Sequence, residues 1–499
     1  MSELAKVDAA YAAPALVEKP FIASRYQEAI LEWARTGTGH ARIEAVAGSG
    51  KSRTLIELAK LLRGRVLLVA FNKSIATELQ SKLAPLGLQN VSASTIHSLG
   101  YSSIRRAFGR KIEVDGQKLR QIVDEVMGGD YDTFYTRRAA EKLASLVKLT
   151  LTRADDREAL QALMERYDVD ANGDSETVLD AVPEILSLAA ETKDVIDFDD
   201  MVWFPRIFKL TPERYDWLLV DESQDLNAAQ REVVLSAVAE GGRVICVGDS
   251  HQAIYGFAGA DVDSIRILTE RLSAQVLPLS ICYRCPKSHI VLAKEIVPQI
   301  EAAPAAPEGV IATLPRAEAV RMMEEGDMVL CRVNAPLAEI ALELIRGGKK
   351  AVVRGRDISS SLLALVKKQR GAQKDLPRLI AQLSEYRDRE VAKLQKAKKE
   401  SQADSLRDRV ETLFVLADGI TSVEGLVARI ESIFSDAREG VVCSSVHRAK
   451  GLEAERVFIY RQELMPHPKA LPGWQMEQEW NLRYVALTRS KRELYFVAK

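Results

Sequence analysis

The sequence predicts an α/β protein with two parallel-sheet cores, each interrupted by a helical insertion, and three observations predict it. Short apolar runs suited to buried parallel strands, such as Arg65-Val66-Leu67-Leu68-Val69-Ala70, occur in two separate sets along the chain. Helical apolar spacing replaces them between about 104 and 195 and again between about 359 and 435. A Gly/Ser loop joining a strand pattern to a helical pattern ends in Lys51-Ser52.

With 499 residues the chain is too long for one hydrophobic core. Apolar content of 47% and charged content of 28% exclude wholesale disorder and a fibrous class. Lys+Arg of 69 against Asp+Glu of 70 nearly cancel, so any nucleic-acid site must be a local groove rather than a global basic field. No apolar run approaches the roughly 20 residues that span a bilayer, and the opening Met1-Ser2-Glu3-Leu4-Ala5-Lys6 lacks the pattern of a secretory signal. Five scattered cysteines fit a reducing compartment without a disulfide framework, so a soluble, cytoplasmic location is expected.

The first core begins over 1–103. Arg42-Ile43-Glu44-Ala45-Val46 is a strand that feeds Ala47-Gly48-Ser49-Gly50-Lys51-Ser52, and Arg53 to Lys60 continues as a helix. Small residues there let backbone N–H groups close around phosphate oxygens at a helix N-terminus, with Lys51 reaching the β/γ-phosphates and the Ser52 hydroxyl holding Mg²⁺. The loop is a P-loop, although Ala45 stands where its first glycine is usual. Over 104–195, stripes such as Leu119, Ile122, Val123 and Val126 mark a helical insertion. The first core resumes over 196–275 with Trp217-Leu218-Leu219-Val220 and Arg243-Val244-Ile245-Cys246-Val247.

A second core is expected over 276–358, opening with Val276-Leu277-Pro278-Leu279 and continuing with Met328-Val329-Leu330 and Ala351-Val352-Val353. A short helical insertion follows over 359–435, with stripes at Leu376, Ile380 and Leu383 and at Leu406, Val410 and Leu413. The core closes over 436–499 with Val441-Val442-Cys443-Ser444, Val457-Phe458-Ile459 and Leu494-Tyr495-Phe496-Val497.

Asp221-Glu222-Ser223-Gln224-Asp225 directly follows an apolar strand and puts two carboxylates at its carboxyl end, where ligands bind in such sheets. Asp221 is placed for Mg²⁺ and Glu222 for orienting and deprotonating a water. After the next strand, Gln252 offers an amide to the γ-phosphate, and Tyr255 and Phe257 offer rings for stacking on bases. Two other patterns carry no chemistry. Asp168-Val169-Asp170-Ala171-Asn172-Gly173 opens like a calcium loop, but Leu179 occupies the place of its bidentate glutamate. Cys282-Tyr283-Arg284-Cys285 has no second Cys/His pair at zinc spacing.

Taken in order, these motifs resemble the UvrD/Rep family of superfamily 1 DNA helicases over nearly the whole chain. Gln27 matches the adenine-reading glutamine, and Phe71-Asn72-Lys73 and the segment of Thr95 and His97 match the first strand-contacting motifs. Tyr283 matches the tyrosine that stacks on adenine, and Arg284 the arginine that reaches the γ-phosphate. Ser445-Val446-His447-Arg448-Ala449-Lys450-Gly451-Leu452-Glu453 and Tyr484-Val485-Ala486-Leu487-Thr488-Arg489 match the last two motifs, with His447 on DNA, Glu453 on nucleotide and Arg489 as the second arginine finger. Ala258 replaces a usual arginine, and Ala454 a usual aromatic.

The resemblance implies two RecA-like P-loop NTPase cores with ATP and Mg²⁺ between them. Gly48, Ser49, Gly50, Lys51 and Ser52 would cradle the phosphates, and single-stranded DNA and duplex junctions would be the partners. It implies a DNA-dependent ATPase that moves 3′-to-5′ and unwinds duplex; the alternative is a translocase that mainly displaces proteins. A small-molecule kinase is disfavoured because it needs no second core with two arginine motifs. No protein partner is indicated. The segment 359–435 lies outside every motif, so its removal is expected to spare ATPase.

Overall fold

The computed structural model describes residues 21–109, 111–128, 134–167, 169, 171, 174–254, 256, 263–369, 375–396, 400–435 and 439–498. The strands of the first half are β1 (Ala41–Ala45), β2 (Val66–Ala70), β3 (Val91–Thr95), β4 (Glu113–Val114), β5 (Val195–Ile196), β6 (Tyr215–Val220), β7 (Val238–Gly248) and β8 (Gln275–Leu279). Six of them form one sheet in the order β3-β2-β6-β7-β1-β8, with every pairing parallel. The apolar runs are strands because both sheet faces are covered: β2 is buried at all five positions.

The second half adds β9 (Ile281–Cys282), β10 (Glu301–Ala302), β11 (Val310–Leu314), β12 (Met328–Cys331), β13 (Ala351–Val353), β14 (Val441–Ser445), β15 (Ala454–Tyr460) and β16 (Ser490–Val497). A second parallel sheet runs β11-β16-β15-β12-β14-β13, and β9 pairs with β10 apart from it. These are the two RecA-like cores.

Two boundaries move. The strand at 276–279 does not open the second core; β8 pairs with β1 and completes the first sheet. Its Leu277 and Leu279 belong to the apolar cluster that also holds Ile43 and Leu68. The first insertion is wider than 104–195, because helix Asp200–Ile207 sends Met201, Trp203 and Phe204 into its core, which Ile104 also joins. Leu179, at the supposed calcium position, is buried in that same core; Asp168, Asp170, Asn172 and Gly173 lie outside the described residues.

The second insertion is not a separate appendage. Its helices Arg356–Lys368, Leu376–Lys396, Glu400–Ala417 and Val423–Ile433 bury Leu379, Leu383, Leu406, Val410 and Leu413 in one cluster with Val329 and Cys331 of β12 and Val353 of β13. Asp408 also accepts from the backbone N–H of Asn334 (2.9 Å) and Ala335 (2.8 Å), capping helix Ala335–Arg346 from outside.

Candidate nucleotide cleft

Strand β1 runs into the loop at Val46, and Gly48 and Gly50 adopt φ of +65° and +82°, a left-handed backbone that side chains resist. Gly50 caps helix Lys51–Leu61, so the loop amides gather at a helix N-terminus. The Ser49 hydroxyl is buried there and has no hydrogen-bond partner among the described residues. Gln27 is held beside it: its side chain caps helix Arg25–Thr36 by accepting from Ser24 N–H at 3.0 Å and donates to Thr54 Oγ1 at 3.0 Å. Ser52 lies half-buried in the first turn of the P-loop helix.

The acidic pair arrives from β6. Lys51 Nζ donates to Glu222 Oε1 at 2.8 Å, joining the two motifs directly. Glu222 has φ +48°, a strained turn that aims its side chain back at the P-loop. Burial would raise its pKa, but the charges of Lys51 and Lys450 and bonds from Lys51 and Gln224 outweigh it and hold the carboxyl at about 2. Burial, reinforced by the Glu222 charge, pushes Asp221 up to about 6. Asp221 and Ser52 are hard oxygen donors at the phosphate end, the set Mg²⁺ takes, and the glycine cradle with its orphaned Ser49 hydroxyl suits a polyphosphate.

The opposite wall comes from later in the chain. Tyr283 N–H donates to Gly48 O at 2.9 Å, which lays the Cys282–Arg284 segment against the P-loop and leaves the Tyr283 ring half exposed. Arg284 Nε donates to Glu453 Oε2 at 2.7 Å, and Lys491 bridges to the same carboxylate at 2.5 Å. Arg489 is buried and ties its guanidinium to Val485 O (2.9 Å), Leu452 O (3.2 Å) and Thr488 Oγ1 (3.1 Å) of its own core. Burial lowers its pKa to about 10, helped by the nearby Arg284 charge. Gln252 donates to Asp249 Oδ2 at 2.7 Å.

Residues expected on DNA sit at the carboxyl ends of strands in both sheets. Phe71, Asn72 and Lys73 follow β2, Thr95 ends β3 with His97 just beyond, and His447 follows β14. Two of them have a second duty: Asn72 accepts from Ile75 N–H at 2.9 Å and Thr95 from Ser98 N–H at 3.1 Å, each capping a helix. Burial lowers the pKa of His97, and burial with Arg332 and Arg448 lowers that of His447 well below the ordinary value. Tyr255 and Phe257 lie outside the described residues.

Sequence reasoning did not single out Lys450, Asp225 and Asp249. Lys450 Nζ donates to Asp225 Oδ2 at 2.5 Å and to Gln252 O at 2.7 Å, crossing from the second core to the first. Burial pushes Asp225 up to about 6, partly offset by Lys450. Asp225 and Lys450 lie inside motifs quoted above and Asp249 directly follows β7, but only spatial proximity gives each its partner.

The family model described as UvrD/REP helicase N-terminal domain matches residues 26–272, and that described as UvrD-like helicase C-terminal domain matches 440–497. The ATP-dependent DNA helicase UvrD2 of Mycobacterium tuberculosis is 26% identical, over 91% of this chain and 76% of that protein. F-box DNA helicase protein 1 of Schizosaccharomyces pombe is 23% identical over 91% of this chain and 55% of its own length. The ATP-dependent DNA helicase Rep of Escherichia coli is 27% identical over 50% of this chain and 39% of Rep.

Proposed function

The chain belongs to the UvrD/Rep family of ATP-dependent DNA helicases, and on that premise we propose that it translocates 3′-to-5′ on single-stranded DNA and unwinds duplex as it moves. The observation that supports the ATP-driven part of this reading is the cleft itself, whereas direction and unwinding rest on the family. Lys51 and Glu222 meet at 2.8 Å on one core, and the segment bearing Arg284 lies against the P-loop through the Tyr283–Gly48 bond of 2.9 Å.

Lys51 has one ammonium and two claimants. A triphosphate entering the glycine cradle takes Lys51 for its β/γ oxygens, and Glu222, released from the ion pair, can accept a proton from the attacking water. Ser52 and Asp221 would hold Mg²⁺, which when bound neutralises phosphate charge. Arg284 is held by the Glu453 carboxylate and Arg489 by carbonyl and hydroxyl oxygens of its own core; turning them toward the γ-phosphate would stabilise charge in the transition state. Gln27 and Tyr283 would hold the adenine. Phe71, Asn72, Lys73, Thr95, His97, Tyr255, Phe257 and His447 would grip the strand, so each change of cleft width shifts the grip.

ATPase measured with and without single-stranded DNA tests the engine. Unwinding of duplexes with a 3′ tail tests direction, and substrates opened only from a 5′ tail would reverse the assignment. Removal of a protein blocking an end label, without strand displacement, would favour a protein-displacing translocase instead.

A further inference from the structure

Tyr484 is a large, fully buried side chain that bonds from the second core to the first and has no role in the scheme above. It lies on helix Trp474–Leu487 of the second core, five positions before Arg489, and is fully buried. Its hydroxyl accepts from the P-loop N–H of Ala47 at 2.9 Å and donates to Asp249 Oδ2 at 3.4 Å. The ring packs among Val46, Ala47, Cys282 and Cys285 and meets His251 edge-on at 6.3 Å.

From Asp249 the bonds continue to the chemistry. Asp249 N–H donates to Gln224 Oε1 at 3.1 Å, Gln224 Nε2 donates to Glu222 Oε2 at 2.6 Å, and Glu222 receives Lys51 through its other oxygen at 2.8 Å. Asp249 and Gln224 are both buried, so no water competes for these bonds. A phenol is the side chain that suits this place: its ring spans the wall between the cores, and its oxygen can accept and donate at once. Burial, with the Asp249 charge, raises its pKa well above the ordinary value, which keeps the hydroxyl protonated and able to donate.

We infer that Tyr484 is a positioning residue that ties the arginine-finger helix to the P-loop and, through Asp249 and Gln224, sets the orientation of Glu222 for hydrolysis. The inference rests on the ATPase reading given above. It places the effect in turnover rather than in nucleotide binding, because the hydroxyl bonds to Asp249, which leads through Gln224 to Glu222, and to one loop amide.

The test compares wild type, Tyr484→Phe, Gln224→Met and the double variant for ATP turnover with and without single-stranded DNA, with thermal melting on the same preparations. Tyr484→Phe keeps the ring and removes one oxygen, and Gln224→Met keeps the length and removes the side-chain bonds to Glu222, Asp225 and Asp249. Each single variant is expected to lower kcat about tenfold with KM for ATP moved less than about threefold, and the double variant is expected to fall no further than the worse single one. A kcat within about twofold of wild type for Tyr484→Phe, an equal rise in KM, or losses that multiply in the double variant would overturn the proposal. A Tyr484→Phe chain that fails to fold would make the hydroxyl structural and overturn it equally. Basal turnover is read throughout, so a wild type that DNA does not stimulate would sink the helicase reading while the tyrosine effect stays measurable.

Discussion

Replacing residues 359–435 by a short Gly/Ser bridge is predicted to unfold the second core, against the expectation drawn from motifs alone. Helix Ala335–Arg346 buries Ala335, Pro336, Leu337, Ala338, Ile340, Ala341, Leu342 and Leu344, nearly its whole circumference, whereas a helix with one face in water buries a stripe. The insertion supplies the outer cover, through the cluster of Leu406, Val410 and Leu413, and supplies Asp408 as the helix cap. Uncovering roughly three large aliphatic side chains at about 1.5–3 kcal/mol each costs about 5–9 kcal/mol. Losing the cap adds about 1 kcal/mol. The sum matches the roughly 5–15 kcal/mol that holds a whole domain together. The assay is thermal unfolding by circular dichroism with ATPase on the same sample. A milder probe is Leu413→Ala, fully buried in wild type, expected to cost about 2–5 kcal/mol and lower Tm by roughly 5–15 °C. A bridged chain that melts cooperatively near the wild-type temperature and keeps ATPase within about threefold would refute the reasoning.

Lys51→Ala and Glu222→Gln should both lose turnover, by about 10²–10⁴-fold, but only the first should lose affinity for a fluorescent ATP analogue, because the second leaves the cradle intact; near-normal hydrolysis by Glu222→Gln would remove it as the base. Gly48→Ala would put a methyl carbon 2.6 Å from Arg284 Cβ at φ +65°, so it should weaken ATP use and lower Tm, with about 1–2 kcal/mol from the backbone alone. In the first insertion Asp199 is half-buried beside Ser145 Oγ at 2.5 Å, and loss of solvent raises its pKa to about 6. The folded state therefore holds this proton more tightly than the unfolded chain does, and the contribution to stability falls as pH rises from about 4 to about 6. Asp199→Asn should accordingly melt higher than wild type at pH 7.5, by up to about 2 kcal/mol, with the advantage vanishing near pH 4; an advantage independent of pH would show that the carboxyl is not the cause.

Much of the local geometry was legible because it is set within a few residues of chain. A P-loop needs small residues at fixed spacing before a helix, and Gly48, Gly50 and Lys51 announce it without reference to anything distant. Strand-end acids are read the same way, since Asp221 and Glu222 directly follow the apolar run of β6. Element type followed from periodicity, and the boundaries that failed were those set by partners rather than by pattern. Nothing in Gln275–Leu279 says that it pairs with β1 rather than with later strands, and nothing in Asp200–Ile207 says that Phe204 turns into the insertion.

By itself, then, the order of residues determined two parallel-sheet cores, the glycine turn before the Lys51 helix and the acids at the end of β6, all properties of spacing within a few turns of chain, whereas the arginine segments were read from the family resemblance. Tertiary structure alone decided that the second insertion is a layer of its core, that Lys450 reaches Asp225 and that Tyr484 reaches Ala47 across 437 positions. The reason is physical: a covalent neighbour constrains dihedral angles and periodicity, whereas burial and hydrogen-bond partnership are satisfied only by whatever the fold brings within a few ångströms.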